Sequence, residues 1–318
     1  MALIEVCEPA QPKTGARFGV KNLLYATDFS ATSEAALPYA TAICRRFGAT
    51  LHVVHIISDA ALIMMTGGVD YVSMGTLYDD ANLEATQKLE QLTGRFADIT
   101  HKTHIGHGAV WANLADVIET NAIDLIIVGT HGRTGLGKLL LGSVAEDILR
   151  HASCPVLTVG PKVAGHDKLP DYVNHKRDLA PSELDLRQIL FATNFAQNAA
   201  SIAQTAVSLA EEFEAQLTVM HVIEDYAQLG SRPDPIDQRV RRIKDLIPKN
   251  AALQYPPASV LEFGAASDRI LKVAADREAD LIILGARSAD EAGSTHLPWS
   301  TAHAVIAQAP CPVLTLRG

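Results

Sequence analysis

Apolar residues recur in this chain with two alternating periods, and the alternation sets the fold class. Residues 22–27, 51–57, 125–129 and 155–159 are short, nearly continuous apolar runs with the length of buried strands. A further strand is expected at 99–105. Between these runs, 31–48 carries Ala35, Ala36, Tyr39, Ala40, Ile43 and Phe47 at helical spacing, and Gly48 is placed to stop the helix. Residues 76–97, 110–121 and 142–151 also read as helices. Strands without an exposed polar face, alternating with helices, predict a parallel sheet covered on both sides. Ligands of such sheets sit beyond the carboxyl ends of the strands, near a switch point in strand order. Asp28 and Gly129 fall at such ends.

The pattern then repeats. Residues 22–57 lie over 188–223 without a gap, at an offset of 166. AIDLIIVGTHGR (122–133) lies over EADLIILGARSA (278–289), and SCPVLTV (153–159) over PCPVLTL (310–316). The chain therefore divides into a loose arm (1–18), a first domain (19–160), a linker rich in Pro, Gly and charge (161–186), and a second domain (187–318). The fold expected is α/β: two tandem, doubly wound, parallel five-stranded sheets with helices on both faces, Rossmann-like in general form. Residues 58–75 contain Met64, Met65, Gly67, Gly68 and Gly75. They read as a mobile loop or lid, with packing against the sheet edge as the alternative for the methionines.

Composition narrows the partners. The 318 residues are 48% hydrophobic and 20% charged, with a net charge of −9. That balance suits well-filled cores and disfavours broad affinity for nucleic acid or an anionic membrane. The first residues lack a basic region followed by an apolar core, and no run approaches the length of a bilayer span. A soluble, cytoplasmic protein is expected. The four cysteines form no C-x-x-C pair, and Cys154 and Cys311 each precede a proline at the entrance to a strand, which points to packing.

The residues richest in chemistry follow the run 125–129. Gly129 is followed by glycines at 132, 135 and 137, and Gly142-Ser143 opens a helical pattern. Strand, glycine-rich loop and helix N-terminus together offer close backbone approach, unpaired N–H donors and a partial positive charge, so phosphate is the natural guest. The alternative is a tight connection whose glycines serve only the turn. Neither a Walker loop nor a dinucleotide fingerprint is present. The spacing Gly129, two residues, Gly132, nine residues, Gly142, Ser143 resembles the nucleotide loop of the universal stress protein family. TDFS at 27–30, HII at 55–57 and GSVAEDILRHASCPVLTV at 142–159 extend the resemblance to a tandem member of that family.

The resemblance implies a bound adenine nucleotide, ATP first, with Mg2+ or Mn2+ as an accompanying ion. Asp28 matches the acidic residue that hydrogen-bonds the adenosine portion. A helix N-cap is its other reading, although Ser30 is available for that task. Ile56 matches the position that packs the adenine ring, and it is equally a core residue. Gly129, Gly132, Gly142, Ser143 and Val144 match ribose and phosphate contacts, with Ala26 and Val128 beside them at the strand ends. Arg133 and Lys138 bring positive charge that either reaches phosphate or is merely solvated. Ser143 offers its hydroxyl to phosphate or metal, or caps the helix.

The second copy departs from this pattern. Asn194 replaces Asp28, Ser288 replaces Gly132, Trp299 stands where Gly142 stood, and Asp290 and Glu291 add negative charge. Repulsion of phosphate is expected, leaving this copy as a structural partner. In single-domain relatives the last strands of two chains pair, so 155–159 and 312–316 are expected to pair within this one, with a further homodimer left open. The function implied is regulatory nucleotide binding in a stress response, with an unidentified protein partner. Slow ATP hydrolysis and a nucleotide-free scaffold are the alternatives. A catalytic role for His131 has no partner visible in sequence. His101, His104 and His107 have a spacing suggestive of a metal site, but on a strand 101 and 104 point to opposite faces. His55 and His221 read as sheet-end residues.

Overall fold

The computed structural model describes residues 18–57, 71–130, 141–164, 184–224, 235–285 and 298–317. The first domain runs β1 (Asn22–Ala26), α1 (Ala31–Glu34), α2 (Leu37–Phe47), β2 (Thr50–Ile57), α3 (Tyr71–Thr93), β3 (His101–His107), α4 (Val110–Thr120), β4 (Leu125–Gly129), α5 (Ser143–His151) and β5 (Val156–Val159). The second runs β6 (Gln188–Ala192), α6 (Ala199–Glu212), β7 (Gln216–Ile223), α7 (Pro235–Asp245), β8 (Ala258–Phe263), α8 (Ala266–Asp276), β9 (Leu281–Gly285), α9 (Pro298–Gln308) and β10 (Val313–Leu316).

These strands form one sheet in the order β3-β2-β1-β4-β5-β10-β9-β6-β7-β8. Every neighbouring pair is parallel except β5 and β10, which meet antiparallel. The strand order reverses between β1 and β4 and again between β6 and β9, so each half has its own switch point. One apolar layer joins the Leu23, Tyr25, Leu51 and Ile127 side of the sheet to α2, α3, α6 and α7. The other joins Leu24, Val54, Ile126 and Val128 to α4, α5, α8 and α9. Both layers run across the two domains, which explains why β4 is buried along its whole length.

The junction has the self-complementary form of a two-fold interface. Leu157 lies opposite Leu314, the Thr158 hydroxyl donates to the Val313 carbonyl at 3.1 Å, and the Thr315 hydroxyl donates to the Val156 carbonyl at 3.2 Å. Arg46 and Glu212, related by the repeat, form an ion pair at 3.0 Å, and Phe47 meets Phe213 edge to face.

Three departures from the sequence reading have local causes. The helix expected over 31–48 is two helices, because Pro38 in the first turn of α2 has no N–H for the Glu34 carbonyl and its ring would crowd that oxygen. Gly48 does end α2, in the left-handed region at φ 65°. Residues 71–75, read as loop, belong to α3, and β3 begins two residues later than expected. The remainder of 58–75, the glycine-rich 131–140, most of the arm and linker, and 286–297 lie outside the described residues. Among the described residues no helix is long and apolar enough to cross a membrane.

Candidate functional site

The first switch point opens into a cleft of about 250 Å3. Of the residues singled out from the sequence, Ala26, Asp28, Ile56, Val128, Gly129, Gly142, Ser143 and Val144 all line it. They come from the ends of β1, β2 and β4 and from the first turn of α5, elements that the parallel sheet brings to one edge. Gly132, Arg133, Lys138 and His131 lie outside the described residues.

The turn after β1 is held by side chains. The Thr27 hydroxyl accepts from the Phe29 N–H at 3.0 Å, and Asp28 Oδ1 accepts from the Ser30 N–H at 3.0 Å. These bonds carry Phe29 into positive φ, 61°, a conformation that bulky side chains rarely adopt without such support. Ser30 is the helix N-cap, accepting from the Ser33 N–H at 3.2 Å, so Asp28 is not needed for capping. His55 Nδ1–H donates to the Thr27 carbonyl at 2.8 Å while its ring lies against Phe29.

At the other end of the cleft, α5 begins without a side-chain cap, because Gly142 holds the N-cap position. The Gly142 N–H is tied to the Thr130 carbonyl at 2.7 Å, and the first helical bond runs from Glu146 back to Gly142. The N–H groups of Ser143, Val144 and Ala145 therefore precede the helical ladder and carry its partial positive charge. Such a terminus can receive an anion.

Gly129 has a structural duty of its own. A Cβ there would come within 2.5 Å of the Thr32 carbonyl oxygen and 3.0 Å of Ser33 Cα, so its bareness admits the α1 backbone. Tyr25 fixes the same contact from below. Its hydroxyl donates to the Ser33 carbonyl at 2.8 Å, and burial pushes its pKa up to about 12, keeping it a donor.

The sequence reading gave no site role to Thr27, Ser33, Val54, Val110, Leu114 and Ala145, which complete the described walls, although Thr27 and Ala145 lie within the quoted motifs. It also missed Gly106. This residue pairs with Ile56 across β2 and β3, and a Cβ there would meet Ile56 Cδ1 at 2.7 Å and Asn113 Oδ1 at 2.4 Å. A glycine inside a strand was the available signal, since it often marks close approach.

The histidines separate. His101 bonds the Ile99 carbonyl, and His107 stands against Tyr78. His104 Nε2 lies 3.1 Å from Nδ1 of His52, a fully buried residue whose own Nε2 has no partner. Burial chiefly, with the neighbouring His104 and Lys102, brings the His52 pKa down to about 4. Burial likewise pushes the Cys44 thiol up to about 12 and the Cys154 thiol to about 11. Thiols held protonated in this way are packing groups, not nucleophiles.

The second switch point has a cleft of about 440 Å3, lined among others by Asn194, His221, Met220 and Gly285.

The model of the universal stress protein family matches residues 19–160 and again 186–317. The chain belongs to that family. Universal stress protein A homolog 1 of Coxiella burnetii is 35% identical over 143 residues, 45% of this chain and 97% of that protein. The solved universal stress protein of Archaeoglobus fulgidus shares the fold, with a TM-score of 0.67 at 20% identity, covering 94% of this chain and 99% of that one. A universal stress protein solved in complex with cAMP is 21% identical, covering 45% of this chain and 98% of that one, with a TM-score of 0.29. This universal stress protein thus carries two domains of the family in tandem.

Proposed function

We propose that the first domain of this universal stress protein holds an adenine nucleotide, ATP in the first instance. The protein then acts as a cytoplasmic stress-response regulator whose state depends on that occupancy. One observation carries the reading: Asp28, Ile56 and the uncapped start of α5 converge on a single cleft at the switch point. Ile56 and Val54 supply an apolar wall for the base, and Asp28 supplies an acceptor for an amine or hydroxyl. The N–H groups of Ser143, Val144 and Ala145 face the phosphate end, where Arg133 and the Gly132 backbone would add to them. A divalent ion would arrive with the triphosphate, and the Ser143 hydroxyl on the cleft wall would be available to it. The antiparallel β5–β10 junction supports a second domain that serves as partner to the first, in place of a second chain.

Denaturing the purified protein and identifying released nucleotide by mass spectrometry tests this directly. About one adenine nucleotide per chain is expected. Gly142→Trp places an indole at the start of α5 and should weaken Mg-ATP binding by at least about 100-fold in calorimetry, a loss of roughly 2.7 kcal/mol. The melting temperature should stay within a few degrees. Unchanged affinity, or no nucleotide in either assay, would sink the proposal.

A further inference from the structure

The second cleft is not a collapsed copy of the first. At about 440 Å3 it is the larger of the two and falls in the size range of small-molecule sites. Its entrance turn is built as in the first domain. Thr193 accepts from the Phe195 N–H, Asn194 Oδ1 accepts from the Ala196 N–H, His221 Nδ1–H donates to the Thr193 carbonyl, and Phe195 sits at φ 57°. The second domain thus keeps the turn that forms one wall of the first cleft. The floor is apolar, from Met220, Val222, Ile270 and Leu284.

What differs is the hydrogen-bonding sense of the rim and the position of its one described carboxylate, Asp28 in the first cleft and Glu224 in the second. Asn194 commits Oδ1 to the Ala196 N–H, which leaves its amide hydrogens as donors where Asp28 can only accept. The charged residue on the described wall is Glu224, and its carboxylate accepts from the Ala266 N–H at 2.9 Å. It therefore occupies the start of α8 with negative charge. Helix α9 begins at Pro298, whose nitrogen bears no hydrogen, so its N-terminus offers one donor fewer than α5. A phosphate would meet a carboxylate at one helix start and a depleted donor set at the other.

We propose that the second cleft is a binding site for an uncharged molecule of nucleoside size that presents a hydrogen-bond acceptor to Asn194. The proposal is independent of what the first cleft holds. An apolar floor takes the flat face of a heterocycle, and the Asn194 amide favours a ring carbonyl over a ring amine. Among the described residues, the Glu224 carboxylate at one helix start and the donor lacking at Pro298 disfavour the charged relatives of the same molecule.

Met220 provides a reporter confined to this cleft. The other methionines are at 1, 64, 65 and 74, and Met220 is fully buried on the cleft floor. Full-length protein with 13C-methyl methionine would be titrated with inosine, adenosine and inosine 5′-triphosphate, with Met220→Leu assigning the signal. Inosine should move the Met220 methyl saturably. It should do so at concentrations at least about tenfold below those needed with the triphosphate, and below those needed with adenosine. Asn194→Asp, an exposed change that keeps the acceptor for Ala196, should weaken inosine about fivefold or more and bring adenosine ahead. A methyl that neither nucleoside moves at millimolar concentration would overturn the site. A triphosphate that binds as tightly as inosine would overturn its preference for neutral ligands. An Asn194→Asp protein with the wild-type order would overturn the contact. Nucleotide in the first cleft leaves this signal in place, so failure here is distinct from failure of the ATP reading.

Discussion

At the end of β1 the Tyr25 hydroxyl ties down the Ser33 carbonyl, whereas the matching residue of the second domain, Phe191, has nothing to donate. Two neighbouring positions reinforce the contrast. Pro38 divides the first domain's helix into α1 and α2, and its counterpart Gln204 sits within the continuous helix α6. A Cβ on Gly129 would strike α1 backbone, while a Cβ on Gly285 would meet side chains, the end of Ile202 at 2.7 Å and Asn198 Oδ1 at 3.9 Å. In the first domain a short helix is thus pinned over the carboxyl end of β4. In the second that helix is missing, and the cleft widens from about 250 to about 440 Å3. Two domains with one strand order have different clefts, and two residue differences, Tyr25 against Phe191 and Pro38 against Gln204, accompany the different placing of one turn of helix.

The largest contrast expected is in acid. His52 and His104 of the first domain are replaced by Thr218 and Val260 at the matching sheet positions. His52 titrates near 6.5 when unfolded and is brought down to about 4 by burial. Between those values the unfolded chain binds the extra proton, so the contribution is complete above pH 6.5 and is lost as pH falls toward 4. Roughly 3 kcal/mol should disappear over that window. Denaturation of His52→Thr/His104→Val, which copies the second domain, should show a shallower acid limb. An identical limb would mean that the pair does not titrate in this way.

Gly129→Ala should come next, at about 2 kcal/mol, because backbone must shift. Gly285→Ala should cost under about 1 kcal/mol, since Ile202 can rotate away. Equal shifts in denaturation midpoint would remove the distinction between the domains. Tyr25→Phe makes the first domain resemble the second at one atom and removes the buried hydroxyl donor to the Ser33 carbonyl, which keeps its bond from the Ala36 N–H. It should cost about 1 kcal/mol and raise the ATP dissociation constant a fewfold. Arg46→Ala removes the ion pair to Glu212 across the pseudo-two-fold. Arg46 also donates to the Glu212 carbonyl and lies over the Phe213 ring, so the ion pair is read as the coupling in a double-mutant cycle with Glu212→Gln. With Arg46 44% exposed that coupling should stay below about 0.5 kcal/mol, and a larger one would give the pair more weight than solvent screening allows.

Much of this was legible in the residues themselves. Strands without a polar face can only be central strands of a covered sheet, so the α/β class followed from 22–27, 51–57 and 125–129. Repetition at a constant offset marked the two domains. Asp28, Gly129 and Gly142 could be singled out because strand ends and helix starts are marked by Gly, Ser and Asp, whose backbone preferences are local, whereas Ile56 was implied only by the resemblance to the family. The break before α2 was less visible, since apolar spacing continued through Pro38 and outweighed it in the reading. Gly106 and Tyr25 went unnoticed because their roles lie in contacts with Ile56 and Ser33 that no local pattern announces.

The chain by itself determined the class of fold, the repeat, and which segments end near a switch point, since period, turn chemistry and helix caps act over a few residues. Tertiary structure alone decided that His104 meets His52, that Gly129 serves α1, and that the second cleft is the wider one. Those outcomes depend on distances between segments far apart in sequence, where a single hydroxyl or proline ring selects between two packings of nearly the same pattern.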